Sequence, residues 1–168
     1  MPFNPREDTR MRSVALRVVL AAALAALAAL LLPGGASAAP GCAAAVDPGD
    51  ETALNAMIGK VRKAQGVARM KRDQVLTNVG RRKSMAMANG AAFAHSTTGK
   101  LPWAKGAAAG QNIAMAPSAT EAFQAMLNSP GHRANLLAPG WRFTGVGAAV
   151  RCDGMVFFTI NLMAPPPA

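Results

Sequence analysis

An apolar run from Val18 to Leu32 constrains this chain more than any other feature, because it takes the amino-terminal part out of the folded core. Arg6, Arg10, Arg12 and Arg17 precede the run, and Pro33-Gly34-Gly35 and then Ala36-Ser37-Ala38-Ala39 follow it. Basic residues hold the amino end on the cytoplasmic side, the run is shorter than the ~20 residues that span a bilayer, and Ala36 and Ala38 offer a peptidase its small side chains. The expectation is a Sec-type signal peptide over residues 1–39, cut after Ala38 or Ala39; an uncleaved anchor is the competing reading. The arginines are not adjacent, which speaks against a twin-arginine signal. Ala39-Pro40-Gly41 before Cys42 lacks the leucine of a lipidation motif. No later stretch is apolar and long enough to span a membrane, so the mature chain is expected to be exported, then free or bound to the cell envelope.

What remains divides into an extension over 40–50, a domain over 51–163 and a Pro-rich tail over 164–168. Charged residues are only 15% of the chain, too few for a charged disordered protein, and two Cys cannot staple a disulfide-dense miniprotein. The net charge of +10 is concentrated between Lys60 and Lys83, read here as a solvated helix face and its connecting loop. Such a surface is drawn to anionic polymers or lipid headgroups; no recognition motif or base-stacking platform points to nucleic acid. In an oxidising compartment Cys42 and Cys152 either form one bridge or stay as two free thiols.

Asp47-Pro48-Gly49-Asp50-Glu51 starts a helix in which Leu54, Met57, Ile58 and Val61 recur at helical spacing, giving a first helix from Glu51 to Gln65 that Gly66 stops. A second runs from Asp73 to Asn89, with Val75, Leu76, Val79, Met85 and Ala86 or Met87 inward, Arg81-Arg82-Lys83 solvated, and Gly80 interrupting the pattern. Residues 90–110 read as a long loop carrying Phe93, His95, Leu101 and Trp103. Gln111 to Met115 is a short strand, and Ser118 with Glu121 at capping-box spacing opens a third helix that buries Ala122, Phe123, Met126 and Leu127. Asn128-Ser129-Pro130-Gly131 breaks it, and His132 to Leu137 makes one more helical turn. Two strands, Thr144 to Val150 and Met155 to Leu162, form a hairpin through Asp153-Gly154. Helices on both sides of a small antiparallel sheet, an α+β arrangement, would bury these faces.

The two histidines of the chain, His95 and His132, each sit beside a break in secondary structure. Phe93-Ala94-His95-Ser96, Gly110-Gln111-Asn112-Ile113-Ala114, Asn128-Ser129-Pro130-Gly131-His132-Arg133-Ala134-Asn135-Leu136-Leu137 and Gly145-Val146-Gly147 follow one another in an order and spacing that resembles the CAP family. This is the family of cysteine-rich secretory proteins, antigen 5 and plant pathogenesis-related proteins, here in its bacterial secreted, SCP-like form. The resemblance spans Leu54 to Leu162. It implies an α-β-α sandwich with a central cleft, in which His95 and His132 match the two family histidines that, with two acidic residues, bind a divalent metal in several members. On this basis the cleft residues are His95, Gln111, Asn112, Ser129 and His132, and the metal ligands His95 and His132.

Both acidic positions depart from the family pattern: Gln111 stands in Gly-Gln-Asn-Ile where Glu is common, and Met126-Leu127-Asn128 replaces the second. Two neutral imidazoles and an amide supply no negative charge, so no cofactor is required and any zinc bound would be held weakly, at about micromolar affinity or poorer. The favoured function is a non-enzymatic binding module for a lipid or an anionic envelope component. The alternative is a metal-assisted hydrolase of peptide or cell-wall material with His95 and His132 as ligands or base. Ser96, Ser129 and Glu121 are its other candidate groups, although Glu121 also fits a helix cap and no nucleophile elbow surrounds either serine. Asn112 and Asn135 fit a role in tying loop backbone together, and Trp141 a role in packing the last helical turn against the sheet.

Overall fold

The computed structural model describes residues 43–96 and 107–165; the expected signal peptide, Cys42, Leu101, Trp103 and the last residues of the tail lie outside them. The chain enters on a two-residue strand, β1 (Ala45–Val46), and turns at once into α1 (Pro48–Ala64). The Asp47 carboxylate accepts the Asp50 N–H at 3.0 Å, Pro48 occupies the first turn where no N–H is needed, and Asp50 and Glu51 suit the positive helix end. The helix therefore starts three residues before the predicted Glu51. Leu54 and Ile58 are fully buried, with Met57 and Val61 packed beside them, as the spacing predicts.

A second two-residue strand, β2 (Lys71–Arg72), leads to α2 (Gln74–Ala88), capped by the Asp73 side chain on Leu76 N–H at 2.9 Å. The predicted inward face of α2 holds at Leu76 and Met87 and is corrected elsewhere. Leu76, Thr77, Gly80, Ser84, Met87 and Ala88 are buried, whereas Val75 is 58% exposed and Ala86 is exposed. The reason lies on the sheet. A Cβ on Gly147 would stand 2.1 Å from the Arg81 N and Gly80 C atoms, and one on Gly145 would stand 2.2 Å from the Thr77 N. Helix and strand thus meet backbone to backbone, so only small side chains fit between them and the larger apolar ones move to the flanks. Gly80 is a packing contact here rather than an interruption, and Ser84 completes it by donating to Gly147 O at 3.0 Å.

β3 (Ala109–Ala116), α3 (Ala119–Asn128), α4 (Pro130–Leu137), β4 (Phe143–Val150) and β5 (Val156–Met163) follow. The predicted Ser118–Glu121 cap forms through the serine side chain: Ser118 Oγ accepts the Glu121 N–H at 3.3 Å and donates to the Glu121 carboxylate at 3.1 Å. The predicted hairpin also forms, with Val150 opposite Val156 and Gly154 at φ +83 in the turn. β3 is longer than its predicted core because it pairs with β5 along its whole length, Ala109 opposite Met163 to Ala116 opposite Val156.

The sheet order is β1-β4-β5-β3, antiparallel, with β2 added parallel to β4. Strand alternation divides its residues between two faces. Val146, Ala148, Phe158, Ile160 and Leu162 pack with Leu54, Ile58, Ala122, Met126 and Leu136 of α1, α3 and α4. On the other face Ile113, Ala149 and Phe157 pack with Met87 and Ala88 of α2. This is the expected α-β-α sandwich. Trp141 packs against the first core and donates its indole N–H to Asn135 O at 2.8 Å, in line with its predicted packing role.

The reading of Lys60 to Lys83 as a wholly solvated run is corrected at two arginines. Arg62 is completely buried, donating to the carbonyls of Ala68, Leu136 and Ala138 at 2.9, 2.6 and 3.0 Å. Arg81 grips the buried Glu51 carboxylate with two hydrogen bonds. Lys60, Lys63, Lys71 and Arg82 remain exposed.

Candidate functional site

Gln111 and Asn112 are neighbours on the edge strand β3, so their side chains leave opposite faces of the sheet. Each anchors a polar cluster. On the α2 side, Gln111 Oε1 accepts the Ser96 N–H at 2.9 Å, while its Nε2 donates to Ser96 Oγ at 3.2 Å and to Asn161 Oδ1 at 3.0 Å. Asn161, fully buried, passes the chain on by donating to Leu76 O at 3.0 Å. Every polar atom of the Gln111 amide is thus engaged within the protein. His95 precedes Ser96 directly and is exposed.

On the α4 side, Asn112 is buried and donates to His132 O at 3.0 Å, while its Oδ1 accepts from Asn135 Nδ2 at 2.7 Å. His132 lies half-buried in the first turn of α4, its Nδ1 3.0 Å from Ser129 Oγ. That contact occupies the hydroxyl that would otherwise cap α4, which has no side-chain cap bond. Gly110 keeps this corner tight: a Cβ there would stand 2.8 Å from Asn135 Oδ1 and 3.0 Å from Trp141 Cζ2.

Of the five cleft residues taken from sequence, Gln111 bonds with Ser96 on one side of β3, Asn112 and Ser129 bond with His132 on the other, and His95 is exposed beside Ser96. The expected role of Asn112 and Asn135 in tying loop backbone is corrected: Asn112 joins β3 to the His132 carbonyl in the first turn of α4, and the Asn135 side chain bonds that of Asn112. Glu121 is exposed and spent on the α3 cap. Among the described residues no three His, Cys, Asp or Glu side chains form a group able to hold a metal ion. Sequence reasoning missed Asn161. Its signal was present: an amide in the apolar run Val156 to Leu162, two residues from Thr159, so on the same face, is a polar group that must be satisfied inside the protein.

Of the two cysteines, Cys42 lies outside the described residues, and Cys152 in the β4–β5 turn is not a free thiol.

The cysteine-rich secretory protein family, CAP, matches residues 56–162. No curated protein matches the chain. Among solved structures, an outer surface protein of Borrelia burgdorferi superposes with a TM-score of 0.61 at 18% identity, covering 68% of this chain and 92% of that one. A venom allergen-like protein of Schistosoma mansoni gives 0.57 at 14% identity, over 71% and 90%. An extracellular protein containing an SCP domain from Bacillus anthracis gives 0.56 at 25% identity, over 69% of this chain and 40% of that one. With a family match over most of the described domain, and the same α-β-α sandwich in these structures, the chain belongs to the cysteine-rich secretory protein (CAP) family.

Proposed function

We propose that this CAP-domain protein is exported and works as a binding module rather than an enzyme, its site lying at the β3 edge around His95, Gln111 and His132. The observation that carries this reading is the state of Gln111. A glutamine at this position brings no charge to a metal and cannot take up a proton, and both polar atoms of its amide are engaged by Ser96 and Asn161. Resemblance to proteins described as extracellular or outer-surface supports export. Among the described residues no helix is long and apolar enough to cross a membrane. The exposed Lys60, Lys63, Lys71 and Arg82 favour a lipid or an anionic envelope component as partner.

Zinc titration by calorimetry beside a His132→Ala variant tests the site. Binding at micromolar affinity or weaker, or none, agrees with the proposal. Metal-dependent cleavage of a peptide or cell-wall substrate, lost in both His95→Ala and His132→Ala, replaces it with the hydrolase reading. Sedimentation with phosphatidylglycerol vesicles at rising salt tests the partner: binding that weakens with salt is expected, and vesicles left unbound at low salt count against an anionic envelope.

A further inference from the structure

At the end of the sheet where α2 stops, apolar side chains reach the surface. Val46, Ala149, Phe157 and Met115 stand opposite one another on β1, β4, β5 and β3, so they form one row on the α2 face. Ala149 and Phe157 in the middle of the row are buried, whereas Val46 and Met115 at its two ends are 37% and 46% exposed. Phe93, 52% exposed, meets Phe157 edge to face with the ring centroids 6.2 Å apart. Of the large apolar side chains exposed among the described residues, only Val75 lies elsewhere. Residues 89–94 around Phe93 are all exposed and carry no charge.

Charge is distributed the other way. At the apolar end Arg151 lies 5.2 Å over the Phe157 ring and is paired with Asp153, so the two charges cancel. Lys71 is opposite Phe143 at the start of β4, six residues from the Ala149 that faces Val46, or about 20 Å along the strand. α1 runs toward that far end, Glu51 meeting Ala148 and Ile58 lying near Thr144, and it carries the exposed Lys60 and Lys63 there.

We propose that the apolar end docks on a phospholipid bilayer, with Phe93 and Met115 entering the boundary between headgroups and acyl chains and Val46 beside them. The inference rests on the reading of this domain as exported and names the surface by which it meets lipid. Two features select lipid as the occupant. The chain that precedes Ala43 joins the domain at this end through β1 and carries the apolar run Val18 to Leu32, so this is the end tethered while that run engages the membrane in export. Three large apolar side chains are also few for a protein interface, which takes about 20–30 residues a side. A lipid surface has no such requirement, because each inserted side chain contributes on its own.

The test sediments the exported protein with vesicles of phosphatidylcholine, which carry no net charge, and of phosphatidylglycerol, at millimolar lipid and rising salt. The variants are Met115→Asp and Phe93→Trp, with Lys63→Gln/Lys71→Gln as the control for the basic end; melting temperatures verify that each folds. The expected result is partition into phosphatidylcholine that salt does not weaken, reduced about tenfold in Met115→Asp, raised in Phe93→Trp with a blue shift of its added indole emission, and unchanged in the lysine variant. Equal partition of Met115→Asp, Phe93→Trp and the parent protein overturns the proposal, and so does a failure to bind phosphatidylcholine. In that second case, salt-sensitive binding to phosphatidylglycerol that the lysine variant loses leaves the binding-module reading with its anionic partner in place, whereas no binding to either vesicle removes both. Self-association without lipid that Met115→Asp abolishes would make this end a contact between copies of the chain, and also overturns the proposal.

Discussion

Glu51 on α1 and Arg81 on α2 join the two helical layers around the open edge of β4, Arg81 Nε and Nη2 lying 2.7 and 2.6 Å from the two carboxylate oxygens. Glu51 is fully buried and also accepts the Ala148 N–H at 3.3 Å. That N–H needs a side chain for a definite reason. β1 pairs with β4 only as far as Asp47 N–H on Ala148 O; the Asp47 carbonyl then turns away to accept Glu51 N–H in the first turn of α1. The carboxylate stands where the next strand acceptor would be.

Arg81→Met is therefore expected to cost about 3 kcal/mol, since it leaves Glu51 buried with only Arg72, 3.7 Å away, as counter-charge. Glu51→Gln should cost less, because an amide oxygen can still receive Ala148 N–H. Urea unfolding of both variants and the double variant measures this, and a coupling energy near zero would mean that the two side chains act independently.

The helix–sheet contact predicts a sharp contrast among glycines. Gly147→Ala and Gly145→Ala force backbone apart on both sides and should cost several kcal/mol, about 3 or more each, or prevent folding. Gly140→Ala, with nothing within 4 Å of the new methyl, should change stability by less than about 0.5 kcal/mol. Equal effects at the three positions in thermal unfolding would contradict the close packing of α2.

In the β4–β5 turn, hydrogen bonds from Arg151 first and from Met155 N–H next hold the Asp153 carboxyl down at about 2. A carboxyl depressed in the folded state adds stability that is complete above its ordinary value and is lost as pH falls through about 2. Carbon-detected NMR titration should find the Asp153 midpoint near that value, and in Arg151→Met it should rise toward the ordinary carboxylate range. Because the group is exposed, salt should weaken the shift.

Export predicts a disulfide between Cys42 and Cys152. Thiol titration of the denatured protein should find no reactive sulfur before reduction and two after it, and reduction should lower the melting temperature, as expected when a loop of this length is released. Two thiols without reductant would remove the bridge.

How much of this was legible in the sequence depended on where each residue's partner lies. α1 and α3 could be placed because their caps and stripes are local: Asp47, Ser118, Glu121, Leu54 and Ile58 carry their signals within a few residues. The inward face of α2 was not, since what selects Thr77, Gly80 and Ser84 is a pair of glycines on β4 more than sixty residues away. Arg62 looked like one more surface cation because its acceptors are main-chain carbonyls of Leu136 and Ala138, which leave no trace in side-chain pattern. At the candidate site the family motif located the residues, and period-two alternation alone puts Gln111 and Asn112 on opposite faces of β3. The hydrogen bonds that engage them needed Asn161 and Asn135 in place.

Gln111→Glu tests the proposed site most directly, because it restores the carboxylate this chain lacks while leaving the backbone alone. Glu can still accept Ser96 N–H, but it cannot donate to Asn161 Oδ1, so two oxygens would face each other near a buried amide. The cost in stability should be about 1–3 kcal/mol. If His95, residue 111 and His132 approach one ion across the β3 edge, the added charge should tighten zinc binding at least about tenfold, and His132→Ala in the same background should abolish the gain. Zinc affinity unchanged by Gln111→Glu would mean that the two polar clusters stay separate, and that His95 and His132 serve different surfaces of the domain.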